Sequence, residues 1–231
     1  MTTKKPLQYF TTKEDSNLAF HVGDDIKSVN FNHYQLSKKL NYNLNTLIYM
    51  KQIHSNIVHI INENDTFKTP PICDALITDK INTPLMVMVA DCSALLFFDK
   101  NRRVIAVAHA GRAGAFSNIV QNVIDTFTKH FNSNTQDISV TIGASIGECC
   151  YEVGEEIYAE AKTLDLEYAL SKRDNSYYLN ISKILKTQLL NAGVDSKNIV
   201  ISNECTSCFN DKYFSYRANP KDGRFAGIIS L

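Results

Sequence analysis

The chain has 231 residues with 24 basic and 24 acidic side chains, so its formal charge at neutral pH is zero. This balance argues against the strongly basic surface of a dedicated nucleic-acid-binding protein. Hydrophobic residues make up 44% of the chain, which is enough to bury a sizeable core without disulfides. We expect one domain that spans residues 1–231.

The N-terminal segment and the cysteine pattern predict a cytoplasmic protein. No apolar stretch of signal-peptide length follows the first lysines, and no later segment is long and apolar enough to span a membrane. The six cysteines are spread along the chain, and Cys149 and Cys150 are adjacent, which is unlike a secreted disulfide framework. We therefore expect reduced thiols, some of them with metal-binding or catalytic roles.

The first quarter of the chain predicts short strands followed by a helix. Strands are expected at 7–10 and 18–22, and 47–61 predicts one or two more because it is rich in β-branched residues. Asp24 and Asp25 are N-cap candidates for the helix that follows them. Its predicted apolar face consists of Ile26, Val29, Leu36 and Leu40.

The middle of the chain is its most apolar part and predicts buried strands. Short continuous apolar runs at 85–90, 94–98 and 104–108 are typical of strands that are covered on both faces. Apolar residues spaced three and four apart then predict an amphipathic helix over 116–131.

The last third predicts both strands and helices. A strand is expected at 138–142, a helix at 155–170, and a second helix from Ile181 that Gly193 ends. Further strands are expected at 199–202, 213–216 and 225–230. Strands outnumber helices and occur in groups, which favours an α+β fold, a mixed α/β sandwich, over a doubly wound parallel sheet.

Three potentially reactive residues each stand at the end of a predicted strand. They are His54 in KQIHSN, Cys92 in MVADCSALL and His109 in VAVAHAGRAG. Any one alone is more typical of a packed core residue. Together, two imidazoles and a thiolate are donors that zinc prefers, and three protein ligands leave the open position of a catalytic zinc site. Their spacing matches no short zinc motif, so spacing alone does not identify a zinc site.

Five motifs occur in order along the chain: QIHS, ADC, HAG with a glycine three residues later, IGECCYEVG, and CT followed by FSYR and GR. Together they resemble the multicopper polyphenol oxidase (laccase-like) family, also called YfiH-like, over nearly the whole chain. The resemblance implies a mixed α/β sandwich related to the catalytic domain of cytotoxic necrotising factor. It also implies a zinc site formed by His54, Cys92 and His109, and the laccase label implies copper as the alternative metal.

The resemblance further implies an enzyme that acts on purine nucleosides and phosphate. The charge balance and the lack of a long apolar segment predict no nucleic-acid or membrane partner. Family members are described as zinc-dependent enzymes that phosphorolyse adenosine, inosine, guanosine and methylthioadenosine and also deaminate adenosine. Three alternatives stay open: a peptidoglycan-precursor editing amidase with Cys92 as nucleophile and His109 as base, a copper-dependent polyphenol oxidase, and a zinc-stabilised structural protein. The three-ligand count favours an enzyme, since structural zinc normally has four protein ligands.

Arginines are candidate phosphate contacts, because a guanidinium group can bind phosphate in a bidentate manner. Arg217 in FSYR and Arg224 in DGR are two such candidates, with a surface or salt-bridged role as the alternative. The HAGWRG of the family is HAGRAG here, so Ala113 stands at the usual arginine position and Arg112 precedes it. Arg112 is the third candidate contact. His33 stands where the family commonly has arginine after asparagine.

Other polar residues have competing interpretations. Asp91 could orient a ligand histidine, carry a proton or cap a turn. Cys205 and Cys208 form a CxxC that could build a four-thiolate zinc site with Cys149 and Cys150. Two adjacent ligands on one tetrahedral ion strain the backbone, however, so we expect buried or unused thiols here.

Overall fold

The computed structural model describes residues 5–231, so the first four residues of the N-terminal segment lie outside the described residues. The helices are α1 (Ile26–Leu40), α2 (Arg112–Phe116), α3 (Ile119–Phe131), α4 (Glu155–Thr163) and α5 (Ile181–Asn191). None of these helices, which belong to the described part of the chain, is long and apolar enough to cross a membrane. The strands are β1 (Leu7–Phe10), β2 (Ile48–Tyr49), β3 (Val58–Ile60), β4 (Ala75–Thr78), β5 (Leu85–Val89), β6 (Ser93–Asp99), β7 (Val104–Ala110), β8 (Ile138–Ile142), β9 (Glu152–Val153), β10 (Leu170–Arg173), β11 (Ser176–Leu179), β12 (Ile199–Ile201) and β13 (Phe225–Ser230).

Two sheets stack face to face, and helices cover their outer faces. The four-stranded sheet has the order β1-β13-β5-β2, and the six-stranded sheet has the order β12-β8-β6-β7-β4-β3. Helix α1 packs on the outer face of the four-stranded sheet, and α2, α3 and α5 pack on the outer face of the six-stranded sheet. A small third sheet, β10-β11-β9, lies beside these layers. The mixed α/β sandwich expected from the sequence is therefore confirmed.

Strand β6 shows why the central segments read as continuous apolar runs. Leu95 and Phe97 face the helices, whereas Leu96 and Phe98 face the four-stranded sheet. Alternate side chains of a strand point to opposite faces, so a strand in the middle of the stack must be apolar on both. Burial of one such side chain contributes roughly 1.5–3 kcal/mol to stability.

Several predicted elements agree closely with the structure. Strands β1, β8 and β13 have the predicted bounds, and the 47–61 segment forms β2 and β3. Helix α1 begins after Asp25, whose side chain accepts a hydrogen bond from the backbone N–H of Ser28. Its apolar face was partly wrong, because Ile26 is 63% exposed while Val29 and Leu36 are buried.

Two predicted strands are not formed. The 18–22 segment is irregular because the Asn17 side chain, rather than a neighbouring strand, hydrogen-bonds the backbone N–H and carbonyl of Ala19. The 213–216 segment is a turn, in which the Ser215 hydroxyl accepts a hydrogen bond from the N–H of Ala218. In both places local side-chain hydrogen bonds replace a strand ladder.

Two predicted helices have different bounds. The 155–170 helix ends at Thr163, because Asp165 adopts a left-handed backbone with φ 55°, and Leu170 already belongs to β10. The 116–131 helix is divided into α2 and α3 by Asn118, which has φ 55° and caps α3 through its side chain. Strands β4, β9, β10 and β11 were not predicted.

Two crossings between the sheets place the candidate residues side by side. The loop between β2 of the four-stranded sheet and β3 of the six-stranded sheet carries His54. The bend between β5 and β6 makes a second crossing and carries Cys92. His109 lies near the end of β7, paired with Ala94 at the start of β6. The stacked sheets therefore bring these three positions to one end of the sandwich.

Candidate active site

The structure brings His54, Cys92 and His109 into one cluster. Their ligand atoms, a ring nitrogen of each histidine and the Sγ of Cys92, all lie within 4.8 Å of one another. The two imidazole rings meet edge to face, with 4.7 Å between their centroids and 83° between their planes. His109 is only 3% exposed, whereas the His54 side is open to solvent. A metal ion held here would have protein on one side and an open position on the other.

Asp74 positions both histidines of this cluster. Its Oδ1 accepts hydrogen bonds from His109 Nδ1 at 2.8 Å and from the backbone N–H of His54 at 3.1 Å. Its Oδ2 accepts hydrogen bonds from the Ser55 N–H and hydroxyl, both at 2.7 Å. The carboxylate is fully buried, immediately before β4. These contacts hold the His54 loop, where His54 has a left-handed φ of 60°, against the end of β7.

Charges in the cluster are mutually stabilised. Burial raises the pKa of Asp74, but the hydrogen bonds from His109 and Ser55 outweigh it and lower the pKa to about 2. Burial also opposes charge on Cys92 and His109. The attraction between them nevertheless lowers the pKa of the Cys92 thiol and raises that of the His109 imidazole. Cys92 is thus predisposed to the thiolate form that metals and electrophiles require.

Gly111 makes room for this arrangement. A Cβ atom at Gly111 would lie 2.7 Å from the Cys92 Sγ and 3.5 Å from Cδ2 of His54. Because real Cβ atoms essentially never approach other atoms so closely, any other residue would displace the thiol. The glycine of the HAG motif therefore accommodates the close approach of the Cys92 and His54 side chains to the β7–α2 junction.

The cluster opens into a cavity of about 720 Å³. This volume lies within the range of small-molecule sites, roughly 300–1,000 Å³. Its aromatic lining consists of Phe20, Tyr49, Tyr151 and Tyr216. Flat apolar surfaces beside a few polar groups are suited to a ligand that has a planar ring and polar substituents.

All three candidate arginines line this cavity. The Arg112 guanidinium forms an ion pair with Glu160 at 2.5 Å. Arg217 instead donates to the backbone carbonyl of Glu152 at 3.0 Å, and Arg224 donates to two backbone carbonyls of its own turn. Within residues 5–231, the guanidinium groups of Arg217 and Arg224 therefore hydrogen-bond carbonyls rather than carboxylates, which leaves them available to an anion.

Asp91 has a different position from Asp74. Its carboxylate accepts hydrogen bonds from the Thr206 hydroxyl and from the backbone N–H of Arg217, both at 2.6 Å. It joins the C-terminal loops to the Cys92 bend, so the carboxylate that orients a histidine is that of Asp74, not Asp91. Asp74 was missed in the sequence. Its partners Ser55 and His109 are 19 and 35 positions away, so no local sequence pattern marked it.

Two further histidines differ in their relation to the cavity. His21 lines the cavity, and burial together with the charge of Arg224 lowers its pKa. His33 is fully buried instead, with its Nε2 2.8 Å from the Leu18 carbonyl and its ring stacked on Phe20. His33 therefore supports one aromatic wall of the cavity and does not reach an anion in it.

Comparison with known proteins decides the family. The family model described as multi-copper polyphenol oxidoreductase laccase matches residues 6–231. The chain belongs to this family. The assignment confirms the resemblance seen in the motifs, and it covers the laccase-like segments that carry His54, Cys92 and His109.

Relatives in the laccase-like family cover almost the full chain. A protein of Clostridium acetobutylicum named purine nucleoside phosphorylase is 36% identical, over 95% of this chain and 87% of its own length. The purine nucleoside phosphorylase YlmD of Geobacillus stearothermophilus is 31% identical, over 87% of this chain and 77% of its own length. The crystal structure of the Geobacillus YlmD superposes with a TM-score of 0.93 at 26% identity, over 99% and 92% of the two chains.

Proposed function

We propose that this chain is a zinc-dependent purine nucleoside phosphorylase, which cleaves adenosine, inosine, guanosine or methylthioadenosine with phosphate. The observation that carries the proposal is the cluster of His54, Cys92 and His109 at the base of a cavity that also presents Arg217 and Arg224. The names of the relatives from Clostridium and Geobacillus support the same reaction. A cytoplasmic location stays a prediction from the sequence.

The residues of the cluster fit zinc. Two imidazoles and one thiolate form a donor set of catalytic zinc, and Asp74 fixes His109 through Nδ1, as carboxylates commonly do for metal-bound histidines. Gly111 leaves space for the thiol where a Cβ would fill it. Bound zinc would supply a Lewis acid that polarises an oxygen of the substrate or activates water.

Phosphorolysis places three demands on the remaining residues. An oxygen of phosphate forms a bond to C1′ of the ribose while the C1′–N9 bond breaks, and the electron pair and a proton go to the purine. Arg217 and Arg224 would hold the phosphate and neutralise its charge. The aromatic walls would stack the purine. His21 is the side chain we propose to carry a proton to the purine, because it faces the cavity beside Arg224. Burial and the Arg224 charge lower its pKa, so it would take this proton from solvent and pass it on rather than store it.

Adenosine deamination is a second reaction that we propose for the same site. It needs an activated water and a group that exchanges protons with the purine, but no phosphate. The carboxylate that lines the cavity is that of Asp91, and it already accepts hydrogen bonds from Thr206 and Arg217. Because Asp91 is engaged in this way, the geometry supports phosphorolysis more strongly than deamination.

An amidase that edits peptidoglycan precursors is the second candidate function, and one observation favours it. Cys92, His109 and Asp74 follow one another as nucleophile, base and orienting acid, with 2.8 Å between His109 Nδ1 and Asp74 Oδ1. The side chain of His54 also hydrogen-bonds Cys92. A nucleophile needs one histidine, so the second imidazole favours metal binding.

Copper-dependent polyphenol oxidation is the function in the description of the family. Multi-copper chemistry requires several histidine-rich copper sites. Among the described residues, the histidine-containing group with metal-ligand geometry is that of His54, Cys92 and His109. This donor set supports one metal ion at the cavity and therefore favours the nucleoside reaction, with copper as an alternative occupant of the same three ligands.

Product analysis by liquid chromatography tests the proposed function. The wild-type protein is incubated with adenosine or inosine, with and without phosphate, beside protein stripped of metal. We expect free purine base and ribose 1-phosphate only when phosphate and metal are both present, and inosine from adenosine without phosphate. Base release independent of phosphate would contradict phosphorolysis. Turnover of a murein-precursor amide by metal-free protein would replace the proposal by the amidase.

A further inference from the structure

Four cysteines outside the cavity form a second cluster. Cys149 and Cys150 lie in the turn between β8 and β9, and Cys205 and Cys208 lie in the turn after β12. Their four Sγ atoms all lie within 4.8 Å of one another. The Cys208 Sγ is 3.5 Å from that of Cys149 and 3.4 Å from that of Cys150. The structure thus brings together thiols that we expected from the sequence to be buried or unused.

These separations are close to those required by one tetrahedral ion. With metal–sulfur bonds of about 2.3 Å, the sulfurs of a regular four-thiolate zinc site are about 3.8 Å apart. The two separations from the Cys208 Sγ, 3.5 and 3.4 Å, are slightly shorter than this value, and all four sulfurs lie within 4.8 Å of one another, so small side-chain rotations would complete the tetrahedron.

The turn at Cys149 and Cys150 removes the objection to adjacent ligands. The backbone N–H groups of Cys150 and Tyr151 both donate to the carbonyl of Gly147, at 3.0 Å, so the chain coils tightly here. In this coil both neighbouring side chains reach the Cys208 Sγ. Their convergence is therefore achieved by the fold of the turn and not by strain between adjacent extended residues.

Backbone donors surround the most buried sulfur. The N–H of Gly147 donates to the Cys205 Sγ at 3.1 Å, and the N–H groups of Ser207 and Cys208 also hydrogen-bond that sulfur. Such donors compensate the negative charge that thiolates keep on a metal. Gly147 also faces the cluster directly, since a Cβ there would lie 3.1 Å from the Cys149 Sγ and 3.2 Å from the Cys205 Cβ.

We propose that Cys149, Cys150, Cys205 and Cys208 form a structural zinc site, separate from the cluster at the cavity. Four thiolates and no open position are the ligand set of structural zinc. Binding of Zn²⁺ displaces the four thiol protons to solvent and involves no electron transfer. A disulfide between two of the cysteines would instead need an oxidant to accept two electrons.

The site would hold together two loops that reach the cavity. Ser145 and Cys205 form an isolated β-bridge, and Thr206, next to Cys205, donates to the Asp91 carboxylate. Tyr151, next to Cys150, lines the cavity. Zinc at the four cysteines would therefore stabilise the part of the cavity wall that contains Tyr151 and Asp91, without contacting the substrate.

Metal analysis of four proteins tests this site. Reduced full-length wild type is loaded with Zn²⁺, desalted and analysed by elemental mass spectrometry beside three variants. The variants are the double change Cys149→Ser with Cys208→Ser, the double change His54→Ala with His109→Ala, and the control Cys73→Ala. Cys73 is the buried cysteine outside both clusters. We expect about two zinc ions in wild type and control, and about one in each double variant.

Cobalt spectroscopy keeps the test decisive if the cysteine variant does not fold. Cys92→Ala retains the four-cysteine cluster, and its Co²⁺ complex should show the strong thiolate-to-metal absorption of a tetrahedral four-thiolate site. Absence of that absorption, or equal zinc content in folded wild type and in the folded Cys149→Ser, Cys208→Ser variant, would overturn the proposal. The intact mass of the zinc-loaded protein gives a second check. A mass lower by two hydrogens, from a disulfide between two of these cysteines, would also overturn the proposal.

Discussion

The Oδ1 atom of Asp74 accepts a hydrogen bond from His109 Nδ1 at 2.8 Å, and the same carboxylate holds the backbone of the His54 loop. Asp74 precedes β4, and His109 lies on β7, whose backbone N–H at His109 donates to the Asp74 carbonyl at 2.8 Å. One buried carboxylate thus fixes the tautomer of one candidate metal ligand and the path of the chain at the other. It leaves Nε2 of His109 free to face Cys92 and a metal.

Asp74→Asn should weaken zinc binding at the cavity. An amide presents one acceptor oxygen instead of two, so it cannot serve His109, Ser55 and the His54 backbone together. Loss of such a partner typically lowers metal affinity about 10–100-fold. The zinc affinity is measured by competition with a coloured chelator. Asp65→Asn is a matched control. Asp65 also accepts a hydrogen bond from a histidine, His59, at 2.7 Å, but this pair does not line the cavity. Unchanged affinity in Asp74→Asn would contradict this role.

Arg217→Ala should raise the KM for phosphate more than Arg112→Ala does. Arg217 contacts a backbone carbonyl, whereas the charge of Arg112 is already paired with Glu160. A charge-assisted hydrogen bond contributes about 1.5–3 kcal/mol, so we expect an increase of tenfold or more for Arg217→Ala. Initial rates at varied phosphate measure it. The proposed adenosine deamination, which would use no phosphate, is the internal control and should be largely retained in both variants.

The reverse ranking would show that Arg112 has taken over the anion contact of the missing arginine at Ala113. In that case Glu160→Gln, which removes the charge paired with Arg112, should lower the phosphate KM. Equal losses of both reactions in any of these variants would indicate damage to the cluster or the fold rather than loss of a phosphate contact.

Gly111→Ala should reduce zinc content at the cavity while the fold is retained. The added methyl carbon would lie 2.7 Å from the Cys92 Sγ, so the thiol or the backbone of the β7–α2 junction must move. Displacement of one ligand from a three-ligand site should reduce zinc affinity by a factor of ten or more, about 1.4 kcal/mol or above. Zinc content and thermal unfolding are measured together. A variant that binds zinc as tightly as wild type would show that the close contact is unimportant.

The folded state should become less stable as the pH falls, and His33 should account for part of this loss. Burial lowers the pKa of His33 to about 4, although the hydrogen bond to the Leu18 carbonyl partly opposes the shift. The folded-state pKa is thus below the unfolded value of about 6.5, and the unfolded state binds the proton more readily. The contribution of His33 to the free energy of unfolding is therefore fully present above pH 6.5 and is lost as the pH falls towards 4.

His33→Gln keeps a hydrogen-bond donor but does not titrate. Between pH 7 and pH 4.5, the free energy of unfolding of wild type should therefore decrease by about 2 kcal/mol more than that of His33→Gln. Urea unfolding at several pH values measures the difference. His130→Gln is the control, because His130 is exposed in the last turn of α3, and it should follow the wild-type profile. Parallel profiles of wild type and His33→Gln would contradict the prediction.

The sequence predicted the fold best where burial alone determines the pattern. Strands β5, β6 and β7 are covered on both faces, so their apolar composition marks them without knowledge of their neighbours. The 18–22 segment has a similar composition, but the Asn17 side chain makes the hydrogen bonds that a strand would need. Contacts between residues more than 200 positions apart in the sequence, such as that between Asn17 and Arg224, decide whether a side chain or a neighbouring strand provides these hydrogen bonds.

The candidate site likewise has features that the sequence predicted and features that depend on contacts between distant residues. The family motifs predicted that His54, Cys92 and His109 meet, and the structure brings them together. Asp74 was missed because its importance lies in hydrogen bonds to residues 20 and 35 positions away, which no local pattern reveals. The sequence disfavoured the four-cysteine cluster because two adjacent ligands on one tetrahedral ion are expected to strain the backbone. The coil at Gly147, which makes their sulfurs converge, could not be predicted from residue spacing.

The central claim is that a metal ion at His54, Cys92 and His109 is required for phosphorolysis, and a zinc titration of metal-free protein tests it most directly. Inosine cleavage is measured as zinc is added to the Cys149→Ser, Cys208→Ser variant, in which the cavity cluster is the remaining proposed site. We predict no activity without metal and a rise that saturates at about one zinc ion per chain. Full phosphorolysis by the metal-free protein, or a covalent substrate adduct on Cys92 during turnover, would contradict the account.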